Sequence, residues 1–465
     1  MNLFLIPRLR NFKAISLPLI TAFLLLNAAV VQDGGQNARS RMATLRAMHE
    51  QHTFRIDPHI VATSDWARTP SGAYYSNKAP GPMLLGFPAF LVLDRLHMWK
   101  ERGYRDERGL RHFPDTFQAT GTSLAMQALP FALLAAWVIH WLAGQGVSRQ
   151  GQWFAGLAML FGNTAACFMN SYFGHGITAV FTMAGLLALL ERRWFWMSFS
   201  FGCALLSDYG FGMMIPAIGA AVFLRFRSGG GAAACPAILR GMVLGALIPA
   251  ALWVWYHVAA FGGVFSIANK FQNPSFLDRA QEGMQLWGIF GLPDVRVLGL
   301  LFGSPERGIF PTQPWLLLVP LVSLALPRSA PMARVVAVFC LLGLAGMLLM
   351  NASFGGWHGG GGPGPRYLSH VFPGFAVWAG LVIDRAPRPV RAMLWGALLA
   401  AVLFRGLVYA GPLEAPVENL WAFYLRELGR DSYTPTLRLY LFGMAVAGAM
   451  AVSARHAPVS AEDRV

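Results

Sequence analysis

Residues 65–81 read DWARTPSGAYYSNKAPG, a polar stretch rich in turn residues between two apolar segments. It carries the carboxylate of Asp65, the phenol of Tyr75 and the ammonium of Lys78. The Ala-Pro-Gly that follows the lysine disfavours helix before the proline and permits a turn, so Lys78 is predicted to lie just before a helix begins. A helix N-terminus adds partial positive charge and free N–H groups, so this stretch favours a phosphate. A lysine that only marks the lipid interface is the alternative.

The composition is typical of an integral membrane protein. Of the 465 residues, 55% are hydrophobic and 13% are charged. The net charge of +15 does not indicate nucleic acid, because the basic residues form short clusters between apolar segments. Three of the four cysteines fall inside apolar segments and no CxxC spacing occurs, so we expect packing residues rather than disulfides or a thiolate metal site.

About twelve apolar segments are long enough to span, or nearly span, a membrane. They cover residues 15–31, 119–144, 152–170, 173–190, 194–207, 209–224, 241–262, 309–327, 334–350, 367–384, 390–410 and 436–453. The first follows a basic start and is read as a retained span, with a cleaved signal peptide as the alternative. A shorter segment at 82–96 contains Pro88 and ends near charged residues, which favours an interfacial or dipping helix.

The basic clusters predict the topology of this single membrane domain. If segment 82–96 does not span, the arginine-rich connections share the cytoplasmic side with the N-terminus, as the positive-inside rule requires. The outer face then receives a first loop at 32–118, a large loop at 263–308 and a glycine-rich turn at 351–366. Polar residues capable of chemistry are therefore concentrated on one face.

Four further outer-face residues are candidates for binding a substrate or a metal. Trp357 offers a face for a sugar ring or a prenyl chain, and Arg366, after a run of glycines, offers a fork that matches phosphate. Arg307 likewise stands at the head of a span. His175 begins a span and is a candidate for metal binding, phosphate binding or proton relay, although a lone histidine is more often a packing residue.

Two other features are interpreted as structural. Residues 41–50 place Met42 and Leu45 three positions apart, which predicts a helix on the outer membrane surface with Arg41 pointing toward water. Asp208 lies between two short helices and is expected to satisfy their free backbone groups.

Together these features resemble the membrane glycosyltransferases of the GT-C fold, in the prokaryotic group related to protein O-mannosyltransferases and aminoarabinose transferases. The similarity rests on the turn from Tyr75 to Gly81, on the large loop at 263–308, and on Gly364-Pro365-Arg366-Tyr367-Leu368. It implies an all-α polytopic membrane protein, a GT-C-like bundle of about twelve transmembrane helices with interfacial helices in the first outer loop.

In this family a polyprenyl-phosphate sugar donates its sugar on the outer face of the membrane, without a nucleotide. The resemblance implies that Lys78, with Arg366, holds the lipid phosphate. The family has an acid shortly after its first span, where this chain has polar and basic residues instead. The general base is therefore expected to be Asp65, with Asp33 and then Asp57 as alternatives.

The metal requirement stays open at this point. Relatives often carry a second acid where this chain has His175, so no cofactor is certain and a divalent metal is an open expectation.

The sequence thus predicts an inverting glycosyltransferase of a bacterial-type inner (plasma) membrane, with its active site on the extracytoplasmic face. Its partners would be a polyprenyl-phosphate sugar donor, membrane lipids and a glycan, lipid or protein acceptor. The alternative is a transporter or flippase of a lipid-linked or anionic solute, which would place charges near the bilayer midplane and show matching halves. A non-catalytic membrane scaffold is a third hypothesis.

Overall fold

The computed structural model describes residues 15–32, 34–96, 104–105, 111–112, 116–228, 235–277, 290–324, 331–416, 418–429 and 433–455. Most of this chain is helical. The helices are α1 (Leu17–Ala29), α2 (Gly35–Gln51), α3 (Gly81–Arg95), α4 (Thr116–Ser123), α5 (Leu129–Gly144), α6 (Arg149–Leu160), α7 (Gly174–Leu190), α8 (Trp194–Ser207), α9 (Ile215–Arg227), α10 (Cys235–Phe261), α11 (Pro274–Leu277), α12 (Val295–Gly303), α13 (Ile309–Thr312), α14 (Trp315–Leu324), α15 (Pro331–Ala352), α16 (Phe372–Ile383), α17 (Arg388–Ala410), α18 (Leu420–Leu428) and α19 (Tyr433–Arg455).

Short helical segments complete the connections. A π-helical segment, Leu124–Ala128, joins α4 to α5. Segments of 3-10 helix lie at Asp57–Ala62, Thr164–Phe168, Tyr209–Met214, Ala268–Phe271 and Arg366–Leu368.

The chain is an all-α polytopic membrane protein, as predicted. In the described part, five helical stretches are long and apolar enough to cross a membrane: Phe117–Gly144, Tyr209–Arg227, Cys235–Phe261, Pro331–Ala352 and Arg388–Ala410. Each predicted apolar segment overlaps helical structure. The count of about twelve spans stays a prediction.

Two predicted segments differ from a single continuous helix. Segment 309–327 is divided between α13 and α14, because Pro314 follows Gln313 and cannot continue the first helix. Segment 152–170 ends its α-helix at Leu160, and Asn163 then caps a 3-10 turn through its side-chain oxygen.

Helices α6 and α16 approach closely through small residues. A Cβ added at Gly151 would lie 2.9 Å from the carbonyl oxygen of Gly380, and one added at Gly380 would lie 3.1 Å from Cβ of Ala155. In a bilayer, lipid tails are as apolar as side chains, so close packing of this kind holds helices together.

Two basic corners are held by hydrogen bonds to neighbouring helices. Helix α7 has His175 in its first turn and ends at Leu190, whose carbonyl accepts hydrogen bonds from the Arg225 guanidinium at 3.1 and 2.8 Å. At the first turn of α17, Arg391 donates to Oε1 of Gln150 in the first turn of α6, at 3.2 Å. The other end of α7 carries His175, a residue of the candidate site.

Residues 65–78, interpreted above only as a polar loop, contain a β-hairpin. Strand β1 (Trp66–Arg68) pairs antiparallel with β2 (Tyr74–Ser76). Between them Thr69 accepts a hydrogen bond from Gly72, whose φ of 86° needs a glycine. Tyr104–Arg105 pairs with Arg111–His112 as β3 and β4 in the same outer loop.

Candidate active site

The hairpin register brings Asp65 to Lys78. Trp66 pairs with Ser76, so the residue before β1 and the residues after β2 emerge side by side. Lys78 Nζ lies 3.0 Å from Asp65 Oδ2, and the two side chains are 21% and 10% exposed. Asp65, the predicted general base, therefore neutralises the charge of Lys78, the predicted phosphate-binding residue.

Helix α2 braces both arms of the hairpin through one serine. Ser40 Oγ donates to the Asp65 carbonyl at 2.5 Å and lies 2.6 Å from Ser76 Oγ. Ser76 Oγ in turn accepts from the Lys78 backbone N–H at 3.2 Å. Burial lowers the pKa of Lys78, and the nearby Asp65 offsets that effect only in part.

Arg41 belongs to the site, so the prediction that it points toward water is wrong. Its side chain is buried, and its guanidinium donates to the Asn37 carbonyl at 3.0 Å and to the Asn37 side-chain oxygen. A Cβ at Gly174 would lie 2.6 Å from Arg41 Nη2, so only glycine fits there. Burial lowers the pKa of Arg41 to about 10 against the raising effects of Tyr172 and Asp65. The sequence pattern identified the apolar face of α2 but not the hairpin that covers the polar one.

His175, Asp208 and His370 converge from three separate segments. Asp208 Oδ2 lies 3.1 Å from His175 Nδ1 and 3.2 Å from His370 Nε2, and the two nitrogens are 3.3 Å apart. Asp208 Oδ1 also accepts from the Gly210 backbone N–H at 2.9 Å, which confirms its expected structural contact. Burial acts to raise the pKa of Asp208, but His370 and His175 outweigh it and hold the pKa well below its usual range.

His370 was missed at the sequence level. It lies four positions after Arg366, just past the glycine-rich turn, and that proximity was the signal available.

Arg366 lies beside aromatic rings at the end of the glycine-rich turn. Its guanidinium carbon is 5.5 Å from the ring centre of Phe173 and 5.2 Å from that of Tyr367. Its buried Nε has no hydrogen-bond acceptor within the described residues. A Cβ at Gly359, whose φ is 69°, would lie 2.8 Å from this nitrogen, so the turn closes directly over the guanidinium.

Three cations are thus electrostatic neighbours. Arg41 and Lys78 each interact with Arg366 and with one another, and Asp65 and Asp208 supply the nearby negative charge. Three cations this close to one another favour a bound anion, and ammonium and guanidinium groups bind phosphate well.

Arg307 holds the glycine-rich turn in place. It is fully buried, and each of its three nitrogens donates to a backbone carbonyl. The acceptors are His358 at 3.0 Å, Glu306 at 2.6 Å, Gly360 at 2.7 Å, Ala415 at 3.2 Å and Pro416 at 3.2 Å. The N–H groups of Arg307 therefore bind backbone carbonyls of the protein in this structure.

The other predicted site residues lie outside this group of cations and carboxylates. The Tyr75 ring packs on Phe261 with centroids 5.4 Å apart. Trp357 is half-buried, with its ring 5.9 Å from that of His358. Asp57 forms an ion pair with Arg55 at 3.2 Å on the surface. Asp33 lies outside the described residues.

Comparison with solved structures identifies the fold. The protein is similar to ArnT from Cupriavidus metallidurans bound to undecaprenyl phosphate, with a TM-score of 0.54 and 16% sequence identity over 95% of this chain and 76% of that chain. The chain has the GT-C fold.

Two further solved structures are similar to this GT-C chain. ArnT in the apo state has a TM-score of 0.48 and 16% identity over 95% of this chain and 76% of that chain. The arabinosyltransferase EmbB from Mycobacterium smegmatis has a TM-score of 0.48 and 13% identity over 98% of this chain and 42% of that chain. No protein-family model and no curated protein sequence matches the chain.

Proposed function

We propose that this GT-C protein is a glycosyltransferase that moves a sugar from a polyprenyl-phosphate donor to an acceptor outside the cytoplasm. The observation that carries the proposal is the grouping of Lys78, Arg41 and Arg366, three neighbouring cations that together match a phosphate. The shared fold with ArnT, whose structure contains undecaprenyl phosphate, supports a lipid phosphate as that anion.

The ion pair between Lys78 and Asp65 suggests how binding prepares the reaction. A donor phosphate attracts the ammonium, since its negative charge is spread over two oxygens that Lys78, Arg41 and Arg366 can bind together, and this charge grows as the bond to the sugar breaks. Lys78 then exchanges Asp65 for the phosphate, and Asp65 becomes free to act as general base. One binding event would therefore hold the leaving group and release the base.

The transfer step follows from these roles. The acceptor hydroxyl or amine attacks the anomeric carbon and passes its proton to Asp65, while the bond from that carbon to the phosphate oxygen breaks. The electron pair leaves with the polyprenyl phosphate, whose charge Lys78 and Arg366 stabilise. Electrostatic stabilisation of this kind contributes about 3 kcal/mol per well-placed donor.

The position of the charges favours an enzyme over a transporter. Asp65, Lys78 and Arg41 belong to the hairpin and α2, which lie in the connection between α1 and α4. Asp208 follows the last residue of α8, and Arg366 precedes α16. A transporter would place such groups midway along its spanning helices.

The test is transfer by purified protein in lipid nanodiscs, with undecaprenyl phosphate released as the readout. The donors and acceptors come from mass analysis of lipid-linked sugars and surface glycans in cells with and without the protein. Lys78→Met should abolish release. Lys270→Met, which removes an exposed lysine from the large outer loop, should leave it unchanged. Full activity in Lys78→Met would reject the proposal.

A further inference from the structure

The donor atoms of His175, Asp208 and His370 form a nearly equilateral triangle with edges of 3.1, 3.2 and 3.3 Å. Metal–nitrogen and metal–oxygen bonds of about 2.1 Å give donor separations of about 3.0 Å in octahedral geometry and about 3.4 Å in tetrahedral geometry. The observed edges fall between these values. All three atoms lie within 4.8 Å of one another, as ligands of one ion must.

Hydrogen bonding alone accounts poorly for this triangle. Both imidazole nitrogens approach the same oxygen, Asp208 Oδ2, and each other, so either both donate to one oxygen or one nitrogen has to serve the oxygen and the other ring at once. Two N–H groups aimed at one oxygen leave the contact between the nitrogens of His175 and His370 unfavourable. A cation at the centre removes the conflict, because each of the three atoms then directs a lone pair toward it.

The three ligands are held by rigid parts of the fold. His175 is in the first turn of α7, Asp208 caps the 3-10 turn after α8, and His370 lies between the 3-10 turn at Arg366–Leu368 and α16. Gly210 holds the other carboxylate oxygen of Asp208 at 2.9 Å, which leaves Oδ2 for an ion. The His370 side chain is 1% exposed, whereas that of Asp208 is 20% exposed, so the cluster is reached from the Asp208 side.

We infer that His175, Asp208 and His370 bind one divalent transition metal, with zinc as the best match. Two imidazoles and one carboxylate are a ligand set for zinc and related ions rather than for magnesium or calcium. Three protein ligands leave at least one coordination position open for water or an oxyanion.

A second part of the inference rests on the proposed function. Arg41 and Arg366 interact with this cluster, so a bound divalent cation adds to an already positive region. A donor phosphate would relieve that repulsion by filling the open position. Zinc and undecaprenyl phosphate should therefore raise each other's affinity by the same factor.

Metal content of the purified protein tests the first part without any substrate. The protein is stripped with chelator, incubated with zinc sulfate, dialysed and analysed by mass spectrometry for zinc per chain. About one equivalent is expected in the wild type, and a tenfold lower content in His175→Ala and His370→Ala. The matched control is His49→Ala, because His49 Nε2 lies 3.3 Å from Asp94 Oδ2 in a two-ligand pair elsewhere. It should keep the full equivalent.

The inference fails if the wild type retains no more zinc than the triad variants. Should those variants not fold, X-ray absorption of the zinc-loaded wild type decides the question. A first shell of two imidazole nitrogens and carboxylate oxygen supports the site, and any other protein ligand set overturns it.

The second part is tested by titrating zinc with and without undecaprenyl phosphate. At least a tenfold gain in zinc affinity is expected, and an unchanged affinity overturns the phosphate role alone. Zinc binding without sugar transfer would reject the proposed function and leave the metal site standing.

Discussion

At the scale of single residues, the contact between Lys78 and Asp65 is a largely buried ion pair. Removing one partner leaves the other charge uncompensated, so Asp65→Asn should lower the free energy of unfolding by roughly 3 kcal/mol. The double variant Asp65→Asn with Lys78→Met should regain most of that stability. It should still show no transfer activity. Thermal unfolding in nanodiscs measures the stability, and release of undecaprenyl phosphate measures the transfer.

The control for this pair is Asp57→Asn. It breaks the exposed pair with Arg55 and should change stability little, because surface ion pairs are screened by solvent. Equal destabilisation in Asp65→Asn and Asp57→Asn would contradict the buried pair.

The lowered pKa of Lys78 predicts a pH dependence of donor binding. Burial moves this pKa down from 10.5, so the ammonium loses its proton at a lower pH than an exposed lysine does. Below its pKa the side chain is charged and binds phosphate, and above it the attraction is lost. The Kd for undecaprenyl phosphate should therefore begin to rise at a pH below 10.5, by at most tenfold per pH unit.

Lys78→Arg separates this effect from general alkaline loss of binding. A guanidinium keeps its charge far longer, so the variant should show a flatter profile over the same range. Parallel profiles for the two proteins would show that another group controls the dependence.

At the scale of elements, the position of Lys78 depends on how α3 begins. A Cβ at Gly81 would lie 2.4 Å from Ser207 Oγ and 2.7 Å from the Ser207 and Leu206 backbone, next to Asp208. Gly81→Ala must therefore separate α3 from α8, at a cost of about 1–3 kcal/mol. Because the lysine precedes this glycine by three residues, kcat/KM should fall at least tenfold.

Gly219→Ala is the matched control in helix α9. A Cβ there meets no atom within 4 Å, so alanine should be neutral or stabilise by up to about 1 kcal/mol. Unchanged kcat/KM in Gly81→Ala would mean that the start of α3 does not position the site.

Arg307 links three segments of the chain, so its substitution should loosen the glycine-rich turn. Arg307→Lys cannot reproduce a fork that donates to carbonyls on both sides of the turn, and hydrogen bonds from charged groups are worth about 1.5–3 kcal/mol each. Amide hydrogen exchange at 358–361 should accelerate about a hundredfold. Arg296→Lys, at an exposed arginine of α12, should leave this exchange unchanged. Equal protection in both variants would contradict the role of Arg307.

Helix positions were predictable from the sequence because apolar length is enough to identify them. The hairpin was not identified, although Thr69-Pro70-Ser71-Gly72 has proline and glycine where a type I turn favours them. Arg41 was assigned to water because a helical face shows which side is apolar and not what covers the other side. Lys78 and Arg366 could be singled out from the sequence because turn glycines and prolines mark them locally, and their roles stay predictions.

At the scale of the whole molecule, the site is assembled from segments distant in sequence. His175 and His370 are 195 positions apart and approach to 3.3 Å. Their meeting depends on how α7, α8 and α16 pack, which no local pattern encodes. Composition shows that the protein lies in a membrane, but the cluster became visible only when the helices were assembled.

The orientation of the whole bundle can be tested with its own cysteines. Cys167, Cys203 and Cys340 are buried, whereas Cys235 is exposed at the start of α10. This start lies beside Trp194, at the basic end, since a Cβ at Gly241 would be 3.2 Å from the Trp194 side chain. The positive-inside rule places that end in the cytoplasm and the hairpin outside.

Membrane-impermeant thiol labelling should therefore modify Cys235 in inverted vesicles and not in intact spheroplasts. In a Cys235→Ser background, Ser71→Cys puts a single exposed thiol at the hairpin turn and should show the opposite pattern. Labelling of Ser71→Cys only in inverted vesicles would place Lys78 in the cytosol. In that orientation an enzyme whose acceptor lies outside the cell could not work, because the donor phosphate and the acceptor would be on opposite sides of the membrane.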